Sequence, residues 1–411
     1  MKLLFLDAYF YPENIAFTHI ELDIMEGLQA AGHSITVVCP TPCRGIPEET
    51  IKRYHNRIHE VYRGIRVHRY QAPREGKNPL LRAFRYFWCN LRGSMIAKHY
   101  RDTDAVFAVS TPPTQGYFAG KLAKKLNVPL IYSLQDLFPD SLVTTGITTE
   151  SSPLYRIGAR LERKTYPLCS KIIVLSRTAE RQLLERGVPE DCLTAVSNWI
   201  DTEAVKPVPR EENRLFDEFN VDRDRFTVVY AGNFGASQGA DVILKAAEMM
   251  KDNKEISFVI FGGGTEFDKA VKLAEELNLD NVAINPLLPP DRVPEVYSMG
   301  DVALITCKKG VGKTAMPSKL WSIMACDTPV IAAFDTDSEL ADVLRESGAG
   351  VCVEPEDPAA LKEAIEEAYA NRASASAAAA REYLMRHASK EACVRQYVDC
   401  FEQAAGSEKA R

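Results

Sequence analysis

Apolar and polar positions alternate along this chain in blocks of two kinds. Short β-branched runs read as strands buried on both faces, and longer segments with apolar residues three and four apart read as helices. In the first half, residues 3–7, 34–39, 105–110, 129–133 and 171–176 are predicted strands, and 19–31, 115–126, 154–167 and 179–186 predicted helices. The polar, proline-bearing stretch 197–213 breaks this rhythm and reads as a linker. A second series of strands follows at 226–230, 256–261, 282–285, 302–306, 330–333 and 350–353, with helical segments such as 269–277 between them. From Pro358 to about Ala405 the chain is rich in Ala, Glu and Arg and reads as helix, the Ala/Ser run 373–380 included. Such alternation predicts an α/β protein of two doubly wound domains, 1–200 and 201–385, facing each other across a cleft. Residues 386–411 are expected to form a C-terminal helix packing back on the first domain.

Composition narrows the class. At 411 residues the chain exceeds what one hydrophobic core usually serves, so two or three domains are expected. With 46% hydrophobic and 26% charged residues, and no run of about 18 apolar residues, it reads as soluble and globular, not integral to a membrane. Ten cysteines lie singly between Cys39 and Cys400; without a Cys-x-x-Cys pair they read as reduced core residues of a cytosolic protein. The chain opens on a strand-like run with no basic leader before it, so secretion is not expected. A formal net charge of −6 argues against nonspecific nucleic-acid binding.

Doubly wound sheets bind ligands beyond the carboxyl ends of their strands, and three such junctions in the second half suit an anion. Gly262, Gly263 and Gly264 follow one strand and precede a helix; glycine lets backbone N–H groups approach a phosphate, although a tight turn needs the same residues. Gly232, Asn233, Gly235, Gln238 and Gly239 follow another strand. Asn233 offers a donor to a phosphate oxygen or sugar hydroxyl, and Asn and Gly are also ordinary turn formers. Lys308, Lys309, Lys313 and Lys319 crowd a third junction. Lys319, just after Pro317 and Ser318 at a helix start, is the anion-binding candidate, and the other three read as solvated.

In the first half, residues 9–16, 110–116 and 133–140 leave three strands at one expected sheet edge. Asp136 is the carboxylate best placed over a reacting centre, though an Asp there equally caps a helix. No metal site is expected. The pairs Asp102/Asp104, Asp222/Asp224 and Asp335/Asp337 have carboxylate spacing but no glycine-rich substrate loop before them, and His55 and His59 lack a partner motif. Neither a Gly-x-Ser-x-Gly elbow nor a complete phosphate-binding Walker loop is present, which disfavours a hydrolase or a P-loop ATPase.

Residues 14–16, 32–38, 198–201, 232–239, 262–264 and 317–331 resemble, in order, the motifs of retaining family-4 glycosyltransferases with the GT-B fold. Ser110-Thr111-Pro112-Pro113, Gln135-Asp136-Leu137-Phe138-Pro139-Asp140, Gln238-Gly239 and Pro317-Ser318-Lys319 resemble most the N-acetylfucosaminyl transferase-like branch of bacterial surface-polysaccharide assembly. The resemblance implies two Rossmann-like domains and a nucleotide diphosphate sugar as donor, a UDP-linked amino or deoxyamino sugar. It implies a saccharide or polyprenyl-diphosphate-linked acceptor, and neither metal nor cofactor. Donor binding would fall to Asn14, Gly232, Asn233, Gln238, Gly262, Gly263, Thr314, Pro317, Ser318, Lys319 and Ser322. Lys319 would stabilise the departing diphosphate, and Asp136 would orient the acceptor or support the oxocarbenium-like centre. Gln238 stands where the larger family has a lysine, and Thr314 and Ser322 stand where it has glutamates. Lys319 would then restore the missing charge, and the departures read as features of the branch.

Within residues 74–101, Leu80, Leu81, Phe84, Phe87, Trp88, Leu91 and Met95 recur at helical spacing among Arg74, Lys77, Arg82, Arg85, Arg92, Lys98 and Arg101. A basic helix of this kind over residues 80–101 suits the anionic inner face of a plasma membrane, where a lipid-linked acceptor would lie. Packing that apolar face into its own domain explains the pattern equally well. Two other readings remain open: a nonhydrolysing UDP-sugar epimerase, and a noncatalytic sugar-nucleotide-binding protein.

Overall fold

The computed structural model describes residues 1–13, 17–76, 78–144, 148–313, 316–372 and 378–409. Two compact units make up the chain: Met1–Asn198 with Cys393–Arg411, and Trp199–Ala392.

In the first unit lie β1 (Lys2–Leu6), β2 (Ser34–Pro40), β3 (His59–Tyr62), β4 (Ile65–Tyr70), β5 (Ala105–Val109), β6 (Leu130–Leu134), β7 (Lys171–Val174) and β8 (Leu193–Ala195). They form one sheet in the order β3-β4-β2-β1-β5-β6-β7-β8, parallel except for the β3–β4 hairpin. The connecting helices are α1 (Thr18–Ala30), α2 (Glu48–Tyr54), α3 (Pro79–Ala97), α4 (Gln115–Leu126), α5 (Asp140–Thr144), α6 (Pro153–Thr165) and α7 (Arg177–Glu185). Local chemistry sets their ends: the Ser176 side chain accepts from the Ala179 N–H to start α7, and Asn127 in the left-handed region stops α4.

Five strands of this sheet match the predicted runs closely, whereas the β3–β4 edge was not expected. Its alternation is hidden by Arg66, His68 and Arg69. Arg69 is buried only because Glu60 on β3 pairs with it at 2.6 Å and the Tyr11 carbonyl accepts from its Nη2 at 2.5 Å.

The second unit has β9 (Phe226–Asn233), β10 (Ile256–Gly263), β11 (Val282–Pro286), β12 (Val302–Thr306), β13 (Val330–Ala333) and β14 (Gly350–Val353), all parallel, in the order β11-β10-β9-β12-β13-β14. Its helices are α8 (Leu215–Glu218), α9 (Asp241–Met249), α10 (Phe267–Glu276), α11 (Val293–Ser298), α12 (Lys319–Ala325), α13 (Glu339–Ser347), α14 (Pro358–Ala370) and α15 (Ala378–His387). Within the expected Ala/Ser helix, residues 373–377 lie outside the described residues, and 378–380 open α15.

The last helix, α16 (Lys390–Lys409), joins the first unit from Cys393 onward. Residues 386–392, expected with that helix, belong instead to the second unit, where Ser389 bridges Ile200. Phe401 packs on Phe5 and Phe107, with ring centroids 5.9 and 5.5 Å away, and is wholly buried. Replacing it should therefore open a cavity under β1 and β5. Phe401→Ala is expected to lower the unfolding free energy of the first unit by about 3–5 kcal/mol, and exposed Arg395→Ala to leave it nearly unchanged; urea denaturation measures both.

Candidate functional site

Strand order reverses at β1/β5 in the first sheet and at β9/β12 in the second. At such a reversal the loops leaving the two strands turn in opposite directions and open a crevice. Each unit carries its unusual chemistry there.

In the second unit, the Lys319 ammonium sits 4.2 Å from the centre of the Tyr230 ring. A Cβ placed on Gly232 would come within 2.6 Å of the same nitrogen, so the bare backbone of Gly232 makes room for the cation. Tyr230 is fixed in turn by donating its hydroxyl to the Asn233 carbonyl at 3.1 Å. Among the described residues no carboxylate pairs with Lys319. Desolvation by burial lowers its pKa from 10.5 to about 8. A cation held by a π face and left without a counter-ion is a ready site for an anion.

Surrounding groups define which expected contacts come together. Ser318 is the N-cap of α12, its side chain exposed and engaged in no capping bond. Since α12 has only seven residues, its dipole is small, and the charge of Lys319 outweighs it. Pro317 precedes this cap, and Ser322 lies one turn below Lys319, half-buried. Asn233 is exposed at the end of β9. Gln238 folds back on its own loop: its Oε1 accepts from the Gly235 N–H at 3.0 Å and from Asn233 at 3.5 Å, so it shapes the loop the missing lysine would have charged.

Gly262 is buried, and a Cβ there would lie 2.5 Å from the Phe234 ring and 2.9 Å from that of Phe267; packing by itself accounts for that glycine. Gly263 ends β10 beside it, half-buried. Lys308, Lys309 and Lys313 are exposed. Lys313 is bound to Asp337 at 2.6 Å, while Asp335 accepts from the Gly310 and Gly312 N–H groups and holds the loop. Asn14 and Thr314 lie outside the described residues.

In the first unit, a cavity of about 380 Å³ opens beyond β1, β5 and β6. Asp136 lies at its lining with Gln135. The Asp136 side chain keeps solvent access, yet desolvation by the surrounding protein raises its carboxyl above the usual range. Gln135 is locked in place: its N–H donates to Ser110 Oγ at 2.9 Å and its side chain to Ser133 Oγ at 2.8 Å. Ser133 is itself 3.2 Å from the Tyr397 hydroxyl of α16, so the last helix supports the loop carrying Asp136. Opposite, Glu13 accepts from the N–H groups of Cys43 and Arg44, each at 2.8 Å, tying the loop after β1 to that after β2.

Three participants were not read from the sequence. Tyr230 looked like one more apolar strand residue. Asp7 and Glu21, both buried against the cavity, looked like a strand end and a helix surface. Desolvation raises both carboxyls, and Asp7 raises Glu21 further. Only the helical spacing of Glu21, on the face of α1 that also buries Ile24 and Leu28, gave a signal for it. Among the described residues, no group of three His, Cys, Asp or Glu side chains is spaced to hold a metal ion.

Residues 21–199 match the family described as glycosyl transferase 4-like domain, and residues 211–385 the family of glycosyl transferases group 1. The chain is a GT-B glycosyltransferase. The probable glycosyltransferase WbjE of Pseudomonas aeruginosa is 27% identical over 333 residues, 80% of this chain and 83% of that protein. The putative colanic acid biosynthesis glycosyl transferase WcaI of Escherichia coli K12 is 26% identical over 68% of this chain and 69% of its own.

Among solved structures, sucrose-phosphate synthase of Thermosynechococcus elongatus superposes with a TM-score of 0.71 at 18% identity, covering 99% of each chain. Anabaena HepE in complex with UDP gives 0.70 at 15%, covering 98% of this chain and 100% of that one. At such identities the likeness shows the fold.

The folded glycosyltransferase holds the Lys319 proton less tightly than the unfolded chain does. Between about pH 8 and 10.5 the unfolded state therefore binds more protons, so the penalty from Lys319 is full below pH 8 and fades as pH rises. Removing that penalty in Lys319→Met is expected to raise the melting temperature at pH 7. That gap should close toward pH 10 in thermal melts taken across the range.

Proposed function

We propose that this glycosyltransferase moves a sugar, with retained anomeric configuration, from a UDP-sugar to a saccharide or polyprenyl-diphosphate-linked acceptor in surface-glycan biosynthesis. The unpaired, desolvated Lys319 carries the reading. As the bond from the anomeric carbon to the diphosphate breaks, negative charge grows on the departing oxygens, and a half-buried ammonium already held against the Tyr230 ring stabilises it with little reorganisation. The acceptor hydroxyl forms the new bond to that carbon and gives its proton to the departing diphosphate. Asp136 orients that hydroxyl from the first unit. No resident metal or cofactor is needed, because Lys319 and backbone N–H groups supply the positive potential. UDP as the nucleotide is supported by the HepE complexes, and an amino or deoxyamino donor sugar by the motif likeness alone.

Acceptor-dependent release of UDP tests the reaction; turnover of a UDP-sugar into its epimer with no acceptor would reject it. For the donor site, UDP affinity is expected to weaken at least about tenfold in Lys319→Met. In the wild type it should also weaken between pH 7 and 9 as Lys319 loses its proton, a dependence absent from the variant. Isothermal titration at several pH values reads both.

Cytoplasmic placement with peripheral docking on an anionic membrane completes the proposal, and the first unit supports it. Leu81, Phe84, Trp88, Leu91 and Met95 form one exposed stripe along α3. Next to α3 runs α4, and next to that α6. Lys121, Lys124 and Lys125 are exposed on α4, and Arg156, Arg160, Arg163 and Lys164 on α6, with Leu154 and Ile157 between. The sole acid on these three helices is Glu162, which is buried.

Arg85, expected on this basic surface, is instead wholly buried, donating to the sulfurs of Cys89 at 3.3 Å and Cys43 at 3.1 Å. Lys77 and the Leu80 side chain lie outside the described residues. Among the described residues no helix is long and apolar enough to cross a membrane. Arg92→Glu with Arg160→Glu is expected to abolish co-sedimentation with phosphatidylglycerol-containing liposomes at low salt, leaving UDP affinity intact. Unchanged sedimentation of that variant would reject the docking face.

A further inference from the structure

The outer edge of the first sheet carries a basic cluster that neither crevice uses. β3 and β4 pair antiparallel, with His59 opposite His68 and Val61 opposite Arg66. Side chains directly opposite share a face, as do residues two apart on one strand, so His59, Arg66 and His68 stand together. The Arg69 N–H donates to the Ile58 carbonyl at 2.7 Å. The next pair, His59 and His68, is therefore of the kind without mutual backbone bonds, where side chains approach most closely. Their ring centroids are 4.3 Å apart. Tyr100, just beyond α3, meets this face with its hydroxyl 2.9 Å from His68 Nδ1. A cavity of about 370 Å³ is lined by these four residues, with Thr36 of β2.

Among the described residues, no carboxylate pairs with His59, Arg66 or His68. Glu60 borders the cavity, but its carboxylate is held at 2.6 Å by Arg69, which alternates to the other face of β4. Asp102 feels Arg66 through space, but Lys2 binds it at 2.7 Å. Basic groups set face to face repel one another. Burial, and then His59, accordingly lower the pKa of His68. An anion between them reverses the sign of that interaction.

The link between His68 and Tyr100 also keeps a donor in reserve. With a neutral ring, either Tyr100 donates to Nδ1 and leaves the Nε2 N–H, or Nδ1 donates and leaves the Tyr100 O–H; a protonated ring leaves both. Arg66 is exposed and adds a fork of N–H groups that matches phosphoryl oxygens. Donors arriving from β3, β4 and the chain beyond α3 suit a tetrahedral group better than a planar carboxylate.

The geometry points to a phosphoryl-binding site at this edge, in which Arg66 and the two imidazoles hold the oxygens of a phosphate group and the His68–Tyr100 link supplies the remaining donor. It lies apart from both strand-reversal crevices and does not depend on the glycosyl-transfer reading. Because α3 ends just before Tyr100 and carries the stripe of the docking face, a phospholipid headgroup is one source of that phosphate. A soluble phosphate is the other.

The test follows the ring signals of the seven histidines by NMR in the full chain, assigned with His59→Gln and His68→Gln. Inorganic phosphate should move the His59 and His68 signals saturably and raise the pH midpoints of both rings, leaving the other histidines nearly unmoved. Affinity should strengthen from pH 8 to pH 6, as the imidazoles gain the protons an anion favours. In Arg66→Gln it should fall about tenfold or more. Dihexanoyl phosphatidylglycerol below its micelle concentration, set against inorganic phosphate, separates the sources. Tighter binding of the lipid assigns the site to a headgroup and weaker binding to a soluble phosphate, and either result keeps the site.

The proposal is overturned if the two rings show no saturable shift, if all seven histidines shift alike, or if sodium chloride of equal ionic strength reproduces the shifts. Unchanged affinity in Arg66→Gln would also overturn it. So would zinc chloride acting on both rings at lower concentration than phosphate, which would make the pair a metal site instead.

Discussion

Reversal of strand order in a parallel sheet is the constraint on which both halves of this enzyme depend. Successive strands on one side of β1 and then on the other force the chain to leave the sheet edge in two directions, and the same happens at β9. A group placed at the gap between the diverging loops is shielded from water by walls of backbone and aromatic rings. Asp7 and Glu21 occupy one such gap, and Lys319 the other.

Desolvation then acts with opposite sign in the two units. In the first it raises carboxyl pKa values and favours shared protons; in the second it lowers a lysine and weakens its hold on its own proton. Each shift costs folding free energy, which a compact fold tolerates only because the surrounding core is otherwise apolar and well packed. The cost also accounts for the supports around each group. Tyr230 anchors the lysine by its ring, while Ser110, Ser133 and Tyr397 hold the loop bearing Asp136. Without them the unpaired charges would rotate toward bulk water, and the potential needed for transition-state stabilisation would be lost.

Periodicity made the parallel strands legible, because a strand buried on both faces has to be apolar throughout. The start of α12 at Lys319 was legible too, since Pro317 and Ser318 mark a helix start whatever the tertiary context. What stayed hidden arises from distant residues brought together. Glu21 shares a face of α1 with Ile24 and Leu28, but only the folded chain shows that it meets Asp7. Arg69 looked solvated until Glu60 was paired with it across a hairpin. Arg85 shows the limit of helical patterning: it lies among exposed basic residues in sequence, yet faces inward where Cys43 and Cys89 receive its N–H groups. Gly262 shows the converse, a residue whose motif position suggests phosphate while its surroundings ask only for room beside Phe234.

For the docking face, the net charge of −6 is no objection. A bilayer surface senses charge through a screening length of about 8 Å at physiological salt, less than the width of one helix with its side chains. Acidic residues elsewhere on the chain lie beyond that distance and are neutralised by counter-ions before the membrane feels them. What counts is the layer formed by α3, α4 and α6, where exposed charge is of one sign and the apolar stripe of α3 lies beside it. Charge brings that layer to the surface, and insertion of Phe84 and Trp88 then adds an attraction that salt does not screen. Binding should accordingly have two components, one that weakens with ionic strength and one that does not.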